Sequence, residues 1–223
     1  MLNRNFWLLN PPESVRYRAA WRDGEVDTET VYCTKYPGHQ RSGRRFDPLS
    51  VNVRGDSLPD FVWTWYSECL IQDSVQRVFR EEGLRGYELK PVRMYLNDVS
   101  ISTPTFWELV VTGWGGVASP ESGVRLVSEC PYCRHRVYSC FNDPKQLIDW
   151  SKWDGSDFFM IWPLPRFIFV SDKVAKLVSQ RFSGAELQAF DEIRCGKTLT
   201  PGRLSYWMPE PRAREIGEPL DIF

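Results

Sequence analysis

Histidine is nearly absent from this chain: two occur in 223 residues, His39 and His135. That scarcity leaves a histidine-based catalytic triad little to build on, and no His-Glu-x-x-His metalloprotease pattern is present. Long apolar runs are missing as well, so no segment offers the ~20 consecutive apolar residues of a membrane-spanning helix. Residues 1–12 hold too few apolar side chains before Pro11-Pro12 for a signal-peptide core, which predicts a cytoplasmic protein with no membrane partner. Net charge is lacking too. With 28 Lys and Arg against 29 Asp and Glu the formal charge is -1, so no global field draws nucleic acid or an anionic membrane. Six cysteines are too sparse and irregular for a secreted disulfide scaffold, and a reducing compartment keeps them as thiols.

What is there is apolar mass and one crowd of soft donors. A hydrophobic share of 42% with 10 Trp and 13 Phe suffices for a packed core across 1–223, read here as a single compact domain. Within Cys130-Pro-Tyr-Cys133-Arg-His135-Arg-Val-Tyr-Ser-Cys140, the Cys-x-x-Cys spacing lets one reverse turn place two sulfurs on one ion while backbone amides point at them. That is half of a zinc site. The best second half is Cys33 with His39, because the Pro37-Gly38 turn between them can bring the imidazole back beside the thiol. The expected metal ligands are therefore Cys33, His39, Cys130 and Cys133 around a structural Zn2+, with Cys140 or His135 as alternatives to His39. Four protein ligands leave no open position for a reacting water.

Along the chain, strands are expected at Phe6–Leu9, Glu25–Tyr32, Ser50–Val53 and Tyr87–Val92. A polar loop is expected from Cys33 to Arg45, with Arg41, Arg44 and Arg45 as solvated charges. Val75, Val78 and Phe79 share one face of a helix that begins at Asp73 and that Gly83 can end. The phrase Leu70-Ile-Gln-Asp-Ser-Val75 through Gly86-Tyr-Glu-Leu89 returns as Phe169-Val-Ser-Asp-Lys-Val174 through Gly184-Ala-Glu-Leu187. It suggests an internal duplication, about 60–92 and 157–193, with Asp73 and Asp172 as helix caps. Between the copies lies a zinc-knuckle segment, 106–150. The expected fold class is thus α+β: two similar strand-helix-strand units with mixed β-sheets, joined by the knuckle.

Two nucleotide-like motifs fail on context. Gly113-Trp-Gly115-Gly116-Val-Ala118 follows a strand, Phe106–Thr112. The turn chemistry of Ser119-Pro-Glu-Ser-Gly123 comes next, where dinucleotide phosphates need the start of a helix, so a glycine turn between strands is expected. Gly196-Lys197-Thr198 ends like a phosphate loop, yet its first glycine would fall at Asp191. A short helix capped by Asp143 precedes the second copy, and the proline-interrupted run from Pro201 to Phe223 reads as an extended arm.

The run Trp107-Glu-Leu-Val-Val-Thr-Gly-Trp-Gly-Gly, then Glu121-Ser-Gly, Cys130-Pro-Tyr-Cys133, Trp153-Asp-Gly-Ser-Asp-Phe-Phe and Ile168-Phe-Val-Ser-Asp resembles the double-CxxCG-motif immunity proteins. Members of that family protect bacteria from toxins delivered by kin cells. Cys130 and Cys133 match its second cysteine pair, with Arg134 where the family has glycine. Of the first pair Cys33 keeps one thiol, and His39 stands in for the other. The resemblance implies a protein that binds and neutralises a cognate protein toxin without turnover. Two other classes make distinct demands. A zinc-ribbon nucleic-acid binder requires a basic face around Arg134, His135, Arg136 and Arg41 to Arg45, and a small enzyme requires a pocket lined by Trp114, Trp162 and acidic residues.

Overall fold

The computed structural model describes residues 6–13, 19–46, 48–196 and 198–223. In chain order they form β1 (Phe6–Asn10), β2 (Ala19–Trp21), β3 (Thr28–Val31), β4 (Arg41–Arg45), β5 (Leu49–Val53), β6 (Phe61–Trp63), β7 (Cys69–Gln72), α1 (Asp73–Glu81), β8 (Tyr87–Leu96), β9 (Val99–Ile101) and β10 (Phe106–Val111). After these come β11 (Trp114–Val117), β12 (Leu126–Glu129), β13 (Arg136–Ser139), β14 (Phe158–Trp162), β15 (Ile168–Ser171), α2 (Asp172–Arg181), β16 (Glu186–Ala189), β17 (Thr198–Leu199) and α3 (Glu210–Gly217). A five-stranded sheet runs β11-β14-β15-β1-β16, and a seven-stranded sheet runs β2-β5-β8-β10-β7-β6 with β9 beside β8. Both are mixed, because β11 pairs parallel with β14 and β5 parallel with β8 while their other ladders are antiparallel. The fold class is α+β.

Side-chain alternation decides where the cores lie. In β14, Phe158, Met160 and Trp162 enter a core shared with α1 and α2, while Phe159 and Ile161 enter a second core on the opposite face. That strand is buried on both sides, which explains its uninterrupted apolar sequence. In β6 and β7 the same alternation sends Phe61, Trp63, Cys69 and Ile71 into the shared core, and Val62 and Leu70 into a third core beneath β5.

One pairing pattern occurs twice. β10 runs antiparallel to β7 with Phe106 opposite Gln72, and Trp107 Nε1 donates to Asp73 at 3.2 Å. β1 runs antiparallel to β15 with Phe6 opposite Ser171, and Trp7 Nε1 donates to Asp172 at 3.4 Å. Leu109 faces Leu89, and Leu9 faces Leu187. The two runs also grip each other. Asp60 accepts from the Ser183 amide at 2.8 Å, and Asp157 accepts from the Arg85 amide at 3.0 Å. At Gly86, φ +94, a Cβ would stand 2.0 Å from the Phe158 carbonyl oxygen; at Gly184, φ +86, it would stand 2.2 Å from that of Phe61. Only glycine fits such approaches.

Several expectations need correction. Asp73 and Asp172 do not cap: each is the first helical residue, the residues before them lie outside the helix, and both carboxylates accept indole N–H groups instead. They still favour the positive end of their helix. The Gly113–Ala118 run is not a turn, since Trp114–Val117 pairs with β14; a Cβ on Gly113 would meet the Phe158 carbonyl oxygen at 2.1 Å, so its glycine serves close approach. Beyond it the chain makes one 3-10 turn, Pro120–Ser122, with Ser119 as its cap. The polar stretch before residue 46 is half strand, because Arg41–Arg45 pairs with β3. The C-terminal arm contains α3: Pro211 falls in its first turn, where the missing N–H costs nothing. Asp143 does cap its short turn, accepting from the Lys145 amide at 3.0 Å. Lys197 of the phosphate-loop look-alike lies outside the described residues. Not all cysteines are thiols: Cys140 and Cys195, with Cα atoms 5.7 Å apart, form a disulfide, a separation that such a bond spans.

Candidate metal centre

Two hairpin tips meet to bring the four soft donors together. Cys33 and His39 lie in the connection between β3 and β4, and Cys130 and Cys133 in the connection between β12 and β13. One short turn, Pro37–His39, carries the imidazole back: the His39 amide bonds to the Tyr36 carbonyl at 3.0 Å and the Gln40 amide to that of Pro37 at 3.0 Å. In the other tip the Cys130 amide bonds to the His135 carbonyl at 2.9 Å and the Arg134 amide to the Cys130 carbonyl at 2.9 Å. Arg134 takes φ 57, the left-handed region that glycine enters without penalty.

The donor atoms of Cys33, His39, Cys130 and Cys133 all lie within 4.8 Å of one another, close enough to hold a metal ion. Cys33 Sγ is 3.8 Å from Cys130 Sγ, and Cys133 Sγ is 3.7 Å from His39 Nδ1. With zinc–sulfur bonds of ~2.3 Å and zinc–nitrogen bonds of ~2.0 Å, a tetrahedron has edges of about 3.8 Å between sulfurs and about 3.5 Å between sulfur and nitrogen. The Cys33–Cys130 and Cys133–His39 separations match those edges. Cys130 and Cys133 are buried, and Cys33 is partly so.

The surroundings favour thiolate at Cys133. The Tyr36 amide donates to Cys33 Sγ at 3.2 Å. Arg41, which sequence reasoning treats as a solvated charge, reaches Cys133 Sγ at 3.7 Å while bonding the His39 carbonyl at 2.9 Å and the Cys133 carbonyl at 3.0 Å. Burial pushes the Cys133 thiol up, but the His135 amide, the Arg41 guanidinium and His39 outweigh it and bring it down to about 6. For Cys130 burial prevails over the amides of Cys133 and Tyr132 and holds the thiol above its ordinary value. The two alternative ligands fall aside. Cys140 is bonded to Cys195. The His135 ring packs against His39, centroids 4.7 Å apart, outside the four-donor cluster; burial foremost, then the charge of Arg41, lowers its pKa.

Neither a family model nor a curated protein matches this chain. Geometry alone therefore speaks for the other site residues. The arginines that a nucleic-acid face would need are engaged: Arg134 bonds Glu129 at 2.8 Å, Arg136 bonds Glu129 at 3.1 Å and Asp221 at 2.7 Å, and Arg44 and Arg45 pair with Glu210 and Glu108. Trp162 is sealed in the core, with its indole donating to the Tyr138 hydroxyl at 3.3 Å. The polar cluster that sequence reasoning missed is Glu68, Glu108 and Arg45. Its signal was a carboxylate in the middle of the apolar strand Phe106-Trp-Glu-Leu-Val-Val, since a buried acid is rare without a partner. Among the described residues no helix is long and apolar enough to cross a membrane.

Proposed function

We propose that the four-donor cluster holds a structural Zn2+ and that the chain is a cytoplasmic immunity protein, which occupies a cognate bacterial toxin and performs no chemistry of its own. The observation that carries the reading is the donor set itself: three sulfurs and one imidazole nitrogen within 4.8 Å of one another, with Cys33–Cys130 and Cys133–His39 at tetrahedral edge lengths. Such soft donors suit zinc rather than magnesium or calcium, and a complete set leaves no position for water. The ion's role is then to fasten two hairpin tips. β3 and β4 form a sheet of only two strands, which is marginal alone in water, and zinc binding supplies the missing stability.

The fastened tips present Tyr32, Tyr36 and Tyr132 to solvent at 70%, 51% and 56% exposure. Aromatic side chains of this kind are the usual anchors of a protein interface. Protection against a toxin active at a few copies per cell requires a dissociation constant of order nanomolar, about 12 kcal/mol, and an interface of roughly 1,600 Å2. In the same reading 60–92 and 157–193 are two copies of one strand-helix-strand unit flanking the knuckle. The twofold recurrence of the Trp–Asp bond and of the glycine approach supports that view.

Co-expression with the neighbouring toxin gene tests the function. Growth rescue with a co-purifying complex is the expected result. Rescue with no complex would point to an enzyme that reverses the damage, and retention on DNA at moderate salt would favour the nucleic-acid reading, whose paired arginines argue against it.

A further inference from the structure

The hairpin fastened at the metal centre also walls a cavity. β4 carries Arg41 to the metal cluster at one end and Arg44 and Arg45 to a cavity of about 480 Å3 at the other. Other walls come from β2 and the start of β3, from the β6–β7 turn, from β8 and β10, from the β14–β15 connection and from residues 205–210. Four cations, Arg44, Arg45, Lys90 and Arg166, line it against three carboxylates, Glu68, Glu108 and Glu210. All three carboxylates are taken: Glu68 and Glu108 share Arg45, and Glu210 pairs with Arg44 and, at 3.1 Å, with Arg214. Lys90 stands opposite Glu108 in the β8–β10 ladder but forms no ion pair with it, and Arg166 lies over the Trp207 ring at 5.6 Å. Among the described residues neither Lys90 nor Arg166 has a carboxylate partner, and both are exposed.

Positive charge is therefore in surplus at the mouth, beside aromatic surface that is not used up. Tyr66 packs one side against Trp21, centroids 4.5 Å apart, and remains 53% exposed. Burial of Glu68 and its neighbour Glu108 raise the Glu68 carboxyl to about 7, so Glu68 carries only about half a negative charge near neutral pH, while Glu108 is paired with Arg45.

We propose that this cavity binds a small anion attached to a planar ring, an aryl or nucleoside phosphate, with the anionic group on Lys90 and Arg166 and the ring against Tyr66. Charge-assisted bonds from a lysine and an arginine suit phosphate oxygens, and a half-free tyrosine face suits a ring. The site is independent of the toxin-binding reading and needs no turnover.

Isothermal titration of the metal-replete full chain with inorganic phosphate, phenyl phosphate and AMP tests it. The two ring-bearing probes should bind about tenfold or more tighter than inorganic phosphate, the added stacking being worth about 1–2 kcal/mol by the same conversion. Lys90→Ala and Arg166→Ala should each weaken every probe by about fivefold or more. Tyr66→Ala should remove the ring advantage and leave inorganic phosphate unchanged. Arg54→Ala, on the neighbouring open cavity, should change nothing. All of these positions are exposed, and matching melting temperatures will show that the variants fold. Absence of binding by phenyl phosphate and AMP at millimolar concentration would overturn the proposal, as would binding indifferent to Lys90 and Arg166.

Discussion

Replacing Glu68 by Gln should flatten the pH dependence of stability. Glu68 accepts from the Trp21 indole at 3.3 Å and from the Thr64 hydroxyl, and Arg45 Nη1 stands 3.9 Å away while the other Arg45 nitrogen engages Glu108. Two carboxylates share one guanidinium. Burial, then repulsion by Glu108, outweigh Arg45 and raise the Glu68 pKa from 4.5 to about 7. The folded state thus holds the Glu68 proton more tightly than the unfolded state. The resulting stability is full below pH ~4.5 and is lost as pH rises through ~7, and a shift of this size corresponds to about 3 kcal/mol. Glutamine is neutral throughout and keeps an acceptor oxygen for Trp21 or Thr64. Urea denaturation at pH 5 and pH 8.5 should show the native chain losing about 2.5 kcal/mol more than Glu68→Gln between the two, or about 5–10 °C in melting temperature for a chain of this size. Parallel pH profiles for the two proteins would refute the argument.

Gly86→Ala should cost more than about 3 kcal/mol, because the new Cβ meets a backbone oxygen at 2.0 Å that cannot swing away; a melting temperature within about 2 °C of the native protein would contradict the packing. Trp107→Phe should cost about 1 kcal/mol through loss of the bond to Asp73, measured by the same urea titration, and an unchanged midpoint would count against that bond. Thiol titration of the denatured, metal-stripped chain should find the four free cysteines, Cys33, Cys69, Cys130 and Cys133, and two more after reduction of Cys140–Cys195; six before reduction would place all cysteines as thiols.

Much of the four-donor cluster can be read from local chemistry. Cys-x-x-Cys declares a turn, and with two histidines in the chain the partners of that pair are few. The Pro37-Gly38 turn gives His39 its return path for a reason internal to seven residues. The missed features depend on long-range context. Arg41-Ser-Gly-Arg-Arg45 looks like a loop because none of its side chains is fully buried, and what makes it a strand is β3 opposite. The Gly113–Gly116 run looks like a turn until β14 occupies the space a Cβ would fill. For α3 the prolines obscure a usable signal: Glu210, Arg214 and Glu218 fall at i,i+4 spacing and pair as such. The disulfide joins cysteines 55 positions apart, a pairing that spacing does not disclose. Nor does any motif link Glu68, Glu108 and Arg45, which come from the β6–β7 connection, β10 and β4.

The most direct test of the account is the metal content of the purified full chain, measured by plasma mass spectrometry beside a Cys133→Ser variant. One zinc per chain is expected, lost in the variant together with several kcal/mol of stability, because under the proposal the ion would fasten the β3–β4 hairpin to the β12–β13 tip. A metal-free native chain whose melting temperature is unchanged by added zinc, and which Cys133→Ser leaves equally stable, would contradict it.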